Sequence, residues 1–537
     1  MYSSTLSRIS RTAGLAVTKS PLVRAIATSR TLLSQAKEGL VLGLFSSNKL
    51  CGADQAALAA SQQKHILDHV SALGHHAGES GSVHLMLSDD LKKQIAVVGL
   101  GSESAKEQQN EVVRMAVANG IKRLCANKVS SVSVGPMPSA KAASEGAALA
   151  LYSFDQFKTK KAADDKPRRI TYMADETQQK QEGADGWHAG EIYAEAQNWA
   201  RDLTNTPANF MTPTIFAQQV KEQLQSLSNI VVNVYDAQWA EEQRMGGLLA
   251  VSRGSEEPLR FVEIIYKGDA SSKDVSLAMV GKGVTFDTGG YSLKPGKYMD
   301  LMKGDMGGGA AVVSAMRAIA KLQMPINVVA TVPLCENMVS GCAIKVSDIY
   351  TSRAGLTVEV MNTDAEGRIV LGDALHYTVE KHQPRNIIDV ATLTGAMVVA
   401  LGELYTGVFT PSPKLWSRIS AASDASDEPV WRMPLHDVWD SMLKSPVADL
   451  SNIGNKSEAG ACTGAAFLRY FVRDTTSKEK TVPRDQNNDE SLPRWAHLDI
   501  AGPMEGTTNA GHHHKGMSGR PTRLLIELAN QITKEKL

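Results

Sequence analysis

Short apolar runs alternate with helical stretches along most of the chain, in two successive blocks. In the first block GLVLGLFS, residues 39–46, reads as a buried strand. VHLML and QIAVVGLG, residues 83–87 and 94–101, read as two more, with a helical pattern over residues 105–120. The charged, proline-containing stretch Lys158–Arg169 reads as an exposed connection, and residues 174–187 as a polar loop. In the second block WHAGEIYAEAQNWARDLTN is helical, and the strands VVNVYD, FVEIIY and SLAMVGKG alternate with helical segments. No internal repeat is visible. The polar segment Asp474–Arg494 is long for a loop. The pattern predicts a smaller N-terminal α/β domain over residues 38–185. A larger C-terminal α/β domain over 190–537, with a mixed, largely parallel central sheet, follows it.

The first 37 residues fall outside this pattern. They carry Arg8, Arg11, Lys19, Arg24, Arg30 and Lys37, no acid, abundant Ser and Thr, and scattered apolar residues. That is the composition of a mitochondrial transit peptide, so the matrix is the expected location. Over the whole chain 57 Lys and Arg balance 57 Asp and Glu, which gives no global pull toward nucleic acid or an anionic membrane. No apolar run approaches the roughly 18 residues of a membrane span. The five cysteines, Cys51, Cys125, Cys335, Cys342 and Cys462, are widely spaced with no C-x-x-C pair, which fits a reducing compartment. Gly99-Leu100-Gly101 begins like a dinucleotide fingerprint, but Ser104 stands at the third glycine position, and the segment reads as a strand-to-helix turn.

Three stretches concentrate acids, glycines and cations. VGKGVTFDTGG, residues 280–290, ends a strand; KPGKYMDLMKGDMGGG, residues 294–309, leads into the helical run AAVVSAMRAIAKL; NTDAEGR spans residues 362–368. Asp287 lies where an apolar strand gives way to glycines, the end of a strand at which open α/β sheets bind ligands. Asp305 lies just before the helix-starting glycines. Asp364 and Glu366, two residues apart, would project to the same side of extended backbone. Taken singly, each has an ordinary explanation as a turn acid, a helix cap or a surface charge. Lys282 is harder to dismiss, because it lies between glycines at the end of an apolar strand. Four acids converging on one place repel unless cations neutralise them, and oxygen ligands without Cys or His suit Mg, Mn or a carboxylate-bridged Zn pair.

VGKGVTFDTGGYSLKP, MDLMKGDMGG and NTDAEGR, in this order, resemble the M17 leucyl aminopeptidase family. RDLTNTPANFMTP, PLCENMVSG, DVATLTGA, AGACTGAAFL, WAHLDIAG and KGMSGRPTR follow the same family order, from about residue 190 to 530. The resemblance implies a catalytic domain over 190–537 that removes Leu and other apolar residues from peptide N-termini by means of a water activated by two metal ions. It implies five metal ligands: Lys282, Asp287, Asp305, Asp364 and Glu366. Asp287 and Glu366 would bridge the ions, which would be Zn or Mn, with Mg possible. Lys294 would stabilise the developing oxyanion, and Arg368 would hold a bicarbonate that serves as general base. Met302, Thr392, Gly395 and Ala461 would line the pocket for the substrate side chain. A homo-hexamer acting on peptides, with neither nucleic acid nor membrane as a partner, is the implied assembly.

The sequence departs from the family pattern at Thr288 (usually Ser), Tyr291 (usually Ile or Leu), Val346-Ser347 (usually Pro-Gly) and Gly372 (usually Ala). None of these removes a ligand or a catalytic cation. Tyr291, three residues before Lys294, is placed to crowd the site or reshape the pocket. Such departures resemble those of the divergent members of the family in insect sperm, some of which serve as structural proteins, so a catalytically weak or inactive assembly scaffold is the alternative reading. Elsewhere the tract His512-His513-His514 reads as a solvated loop, His497 as a hydrogen-bonded core histidine, and Cys462 lacks the setting of a nucleophile.

Overall fold

The computed structural model describes residues 36–52, 58, 60–72, 76–104, 109–160, 169–173, 186–472 and 493–534. The proposed leader, apart from its last two residues, lies outside the described residues. So do most of the Lys158–Arg169 connection, residues 174–185 and most of the Asp474–Arg494 segment. The chain divides into two units, one built from residues up to Gly190 with Ala510–His512, the other from Glu191–Asn509 and His513–Leu537.

The first unit is a five-stranded sheet with helices. The three apolar runs read from the sequence form β1 (Glu38–Phe45), β2 (Val83–Leu87) and β3 (Lys93–Gly101). With β4 (Ser131–Val134) and β5 (Arg169–Tyr172) they order as β2-β3-β1-β4-β5. Every neighbouring pair is parallel except β2 with β3. The helix expected over 105–120 is described from Gln109 to Ala126. A side chain at Gly99 would collide with the Glu79 carbonyl 1.9 Å away, so close chain crossing accounts for this glycine without a cofactor. The solvated-loop reading of the histidine tract fails at His512, which is buried with Nε2 2.8 Å from Glu111 Oε1.

The helix Trp187–Asn205, where the sequence placed it, lies mostly in the second unit, which begins at Glu191. A nine-stranded sheet follows, formed by β6 (Ile230–Tyr235), β7 (Arg260–Lys267), β8 (Leu277–Gly281), β9 (Gly283–Asp287), β10 (Asn327–Asn337), β11 (Asn386–Ala391), β12 (Thr406–Phe409), β13 (Val430–Arg432) and β14 (Arg494–Asp499). Its order is β13-β12-β14-β11-β8-β10-β7-β6, with β9 also pairing β10. The centre, β14-β11-β8-β10, is parallel, while β7 and β6 on one side and the β12–β14 pairing on the other are antiparallel. This is the mixed, largely parallel sheet expected. The central strands are apolar on both faces because helices cover both. On one face Ala311, Val312 and Met316 of the helix Gly307–Lys321 pack with Met279 and Val390, and on the other Val370 and Ala374 of the helix Gly367–His382 pack with Ala278 and Val280.

One departure from the family pattern acquires a physical reason and another a physical cost. A Cβ on Gly372 would come within 3.0 Å of the Phe471 ring, so the ring occupies the room an alanine needs. Ser347 has φ +76°, the left-handed region that disfavours any side chain. Ser347→Gly should therefore stabilise the chain by about 1 kcal/mol, read as a higher urea midpoint at unchanged slope. An unchanged or lower midpoint would contradict this account.

Candidate active site

All the candidate ligands belong to the second unit, at the carboxyl ends of β8 and β9 and just before the starts of two helices. Lys282 is the single residue between β8 and β9. What the sequence suggests is one strand, SLAMVGKG, is broken there, because Lys282 N–H donates to Val390 O at 2.9 Å and its carbonyl accepts from Gly309 N–H at 2.8 Å. The side chain turns inward. Its Nζ lies 2.7 Å from Asp305, 2.8 Å from Glu366 Oε1, and donates to the Thr392 carbonyl at 3.1 Å. The stem passes so close to the helix start that a Cβ on Gly367 would lie 2.6 Å from Lys282 Cε. The glycine of NTDAEGR is thus the space through which the lysine reaches the acids.

Asp287 ends β9. Its Oδ1 accepts from Gly289 N–H and Asn337 Nδ2, both at 2.8 Å, and Oδ2 faces Lys294 Nζ at 2.8 Å. Lys294 also contacts Asp364. Asp364 and Glu366 do converge, but not by strand alternation. Asp364 lies in a turn and Glu366 is the helical-φ,ψ residue just before Gly367–His382. One carboxylate oxygen from each of Asp287, Asp364 and Glu366 lies within 4.8 Å of the others. Asp305, at the turn before Gly307–Lys321, joins through Lys282 and Thr392, whose Oγ1 donates to Asp305 Oδ1 at 2.6 Å.

The electrostatics are those of acids crowded out of water. Burial, with the neighbouring charge of Asp287 next, raises the carboxyls of Glu366 and Asp364. Burial raises Asp305 as well, against the pull of Lys282. Burial works to lower both lysines, but the carboxylates win and raise them: chiefly Asp305 and Glu366 for Lys282, chiefly Asp287 for Lys294. Asp305 Oδ2, Asp364 Oδ1 and Glu366 Oε1 are buried and accept no well-directed hydrogen bond from the described residues. Four acids facing two ammonium groups, with oxygens left over, form a donor set that fits hard or borderline divalent cations. Arg368 is buried too. Its Nη1 donates to Asn452 O at 3.0 Å while Nε has no hydrogen-bond partner among the described residues, and burial pulls the guanidinium down to about 10.

Of the expected pocket residues, Thr392 and Met302 both touch Asp305, the latter through its carbonyl, which accepts Asp305 N–H at 3.2 Å. Gly395 starts the helix Gly395–Leu401 and is exposed, with nothing within 4 Å of where a Cβ would stand. Ala461 is buried with Met397 and Phe409 in the helix Gly460–Arg469, whose first residue approaches Ala396. Tyr291 does not crowd the lysine. Its half-exposed ring sends the hydroxyl to the Ser340 carbonyl at 2.9 Å. His497 is a core histidine as expected, held by Asp389 and stacked on Phe409.

The sequence reading missed the residues that hold the acids in place. Asn452 Oδ1 accepts Met361 N–H at 2.8 Å and its Nδ2 donates to Asn362 O at 2.6 Å, fixing the turn that carries Asp364. Asp499 at the end of β14 accepts from Thr394 Oγ1 at 2.6 Å and Leu393 N–H at 3.2 Å, fixing the segment that carries Thr392. Asn337 ends β10. The only signal for Asn337 and Asp499 was a polar residue where an apolar strand stops, and Asn452 carried none.

The profile of the cytosol aminopeptidase family catalytic domain matches residues 198–526, and that of the family's N-terminal domain matches residues 41–161. The cytosol aminopeptidase of Xenopus tropicalis is 42% identical over 530 residues, 96% of either chain. The human one is 40% identical over 541 residues, covering 97% of this chain and 98% of its own. Among solved structures, the bottromycin maturation enzyme BotP in complex with Mn superimposes with a TM-score of 0.77 at 31% identity, over 93% of this chain and all of that one. The acidic cluster and the loops around it fall inside the matched catalytic region, and the chain belongs to the cytosol aminopeptidase family, peptidase family M17, as an aminopeptidase.

Proposed function

We propose that the chain removes leucine and other apolar residues from peptide N-termini with a pair of divalent cations held by Lys282, Asp287, Asp305, Asp364 and Glu366. The observation that carries this reading is the meeting of three carboxylates, two buried and one half-buried, within 4.8 Å, with only the ammonium groups of Lys282 and Lys294 facing their inner oxygens among the described residues. The name of the BotP structure, which includes Mn, and the names of the relatives point the same way. When bound, such a pair polarises a carbonyl and acidifies water. The remaining work falls to the chain. Lys294 presents an ammonium to the charge that develops on the substrate oxygen. The unpartnered Nε of buried Arg368 suits a small anion, and a bicarbonate held there would take a proton from water. The open space over Gly395, beside Thr392 and Ala461, would receive the substrate side chain.

The nearness of Lys282 to Asp305 and Glu366, and of Lys294 to Asp287 and Asp364, supports this reading over the scaffold one. The test is an assay of the metal-stripped chain on leucyl amide, before and after addition of Mn or Zn, with N-acetyl-leucyl amide as the blocked control. Hydrolysis of the free amine alone, restored by metal with two ions bound per chain, is expected. Absence of metal-dependent hydrolysis above background would overturn the proposal.

A further inference from the structure

Asn337 is buried to 1% exposure at the end of β10, between the two segments that carry Asp287 and Asp364. An amide nitrogen has two hydrogens, and both are used. One goes to Asp287 Oδ1 at 2.8 Å, the other to the Thr363 carbonyl at 3.0 Å. The Asn337 carbonyl accepts both Thr288 N–H and Thr288 Oγ1 at 2.9 Å. Thr363 completes the stitching. Its Oγ1 donates to Gly289 O at 2.6 Å and accepts Ser292 N–H at 2.8 Å, and its N–H donates to Ser292 Oγ at 3.1 Å.

We infer that Asn337 is a positioning residue for the metal pair, fixing which oxygen of Asp287 faces the cluster and how far Asp287 stands from Asp364. With Gly289 N–H and Asn337 both donating to Oδ1, that oxygen is committed, and Oδ2 is left to face the cluster. The same amide holds the turn that begins Asn362–Glu366, so one side chain sets two of the three converging carboxylates. Neither Asp, which offers oxygens to oxygens, nor Ser, with a single donor, can do both. The hydrogen-bonded partners of ligands govern metal affinity in general, and here the partner reaches two ligand segments at once. The inference rests on the metal reading of this site.

The experiment uses Mn as probe on the full chain. Wild type should bind two ions and show the electron paramagnetic resonance of an exchange-coupled pair. Asn337→Ala should lose on the order of 10–100-fold in Mn affinity, with the coupled signal replaced by that of isolated ions. Thr363→Val, which cuts the two hydroxyl stitches but leaves Asn337 and the backbone one, should move affinity the same way by less. If Asn337→Ala does not fold, Asn337→Ser, which keeps one donor, is measured in its place and should show the same loss and the same loss of coupling. An alanine or serine variant with wild-type affinity and an unchanged coupled signal would overturn the inference, whatever its stability. A wild-type chain that takes up no Mn would instead overturn the metal reading, and this inference with it.

Discussion

Glu366→Ala should leave the chain folded yet strip it of metal and of leucyl-amide hydrolysis. The fold is spared because Glu366 precedes the helix Gly367–His382 in helical conformation and its side chain makes no capping hydrogen bond. Burial and the charge of Asp287 already raise its carboxyl, so the metal-free variant loses an unfavourable buried charge, and Lys282 keeps Asp305 as its partner. The metal-free melting midpoint should therefore not fall. Metal binding is another matter. Glu366 supplies one of the three converging oxygens and is the acid that also reaches Lys282. A cation's stabilisation of charge in the transition state amounts to several kcal/mol, and each 1.36 kcal/mol is tenfold in rate. A loss of about a thousandfold or more in kcat/KM is expected, with far less than two ions bound per chain. A variant that keeps two tightly bound ions and activity within tenfold of wild type would remove Glu366 from the centre.

The elements were legible in the chain because burial on two faces writes itself as apolar runs. GLVLGLFS, QIAVVGLG and FVEIIY became strands at nearly the boundaries read, and WHAGEIYAEAQNWARDLTN became a helix over its whole length. The break at Lys282 was not legible, since it arises from β11 and the Gly307 helix start competing for that residue's backbone, a contact between distant segments. Nor was the backbone at Asp364 and Glu366. Spacing by two suggested a strand, whereas a turn feeding a helix N-terminus brings them together. The candidate ligands were read from resemblance to family motifs, and the same motifs gave no view of Asn337, Asn452 or Asp499. Each of these acts through a neighbour more than 25 residues away in sequence or through backbone groups, as the Asn337–Asp287 separation of 50 shows. Tyr291 illustrates the converse error. A large residue near the candidate catalytic lysine in sequence turned outward to Ser340, because the side chains of adjacent residues on a loop share no common direction.

Lys294→Ala should separate the chemistry from the binding. Lys294 is the most exposed of the charged residues paired in the cluster apart from Asp364, and it is carried on a loop rather than at a strand end. Its ammonium lies 2.8 Å from Asp287 Oδ2, on the side of that carboxylate away from Asn337. Removing it takes a competing positive charge from Asp287 and Asp364, so metal affinity should stay level or rise. The rate should nevertheless fall by about 10²–10³, the usual consequence of losing one donor aimed at a developing oxyanion. The fall should lie in kcat with KM little changed, because the interaction forms only as charge develops. Lys294→Met, which keeps the stem and drops the charge, should match alanine if the charge is what counts. If both variants instead lose metal in step with activity, Lys294 holds the acidic loops together and does not serve the reaction directly. If both keep metal and full turnover, the substrate oxygen is stabilised by some other group, and the buried guanidinium of Arg368 is the next cation to remove.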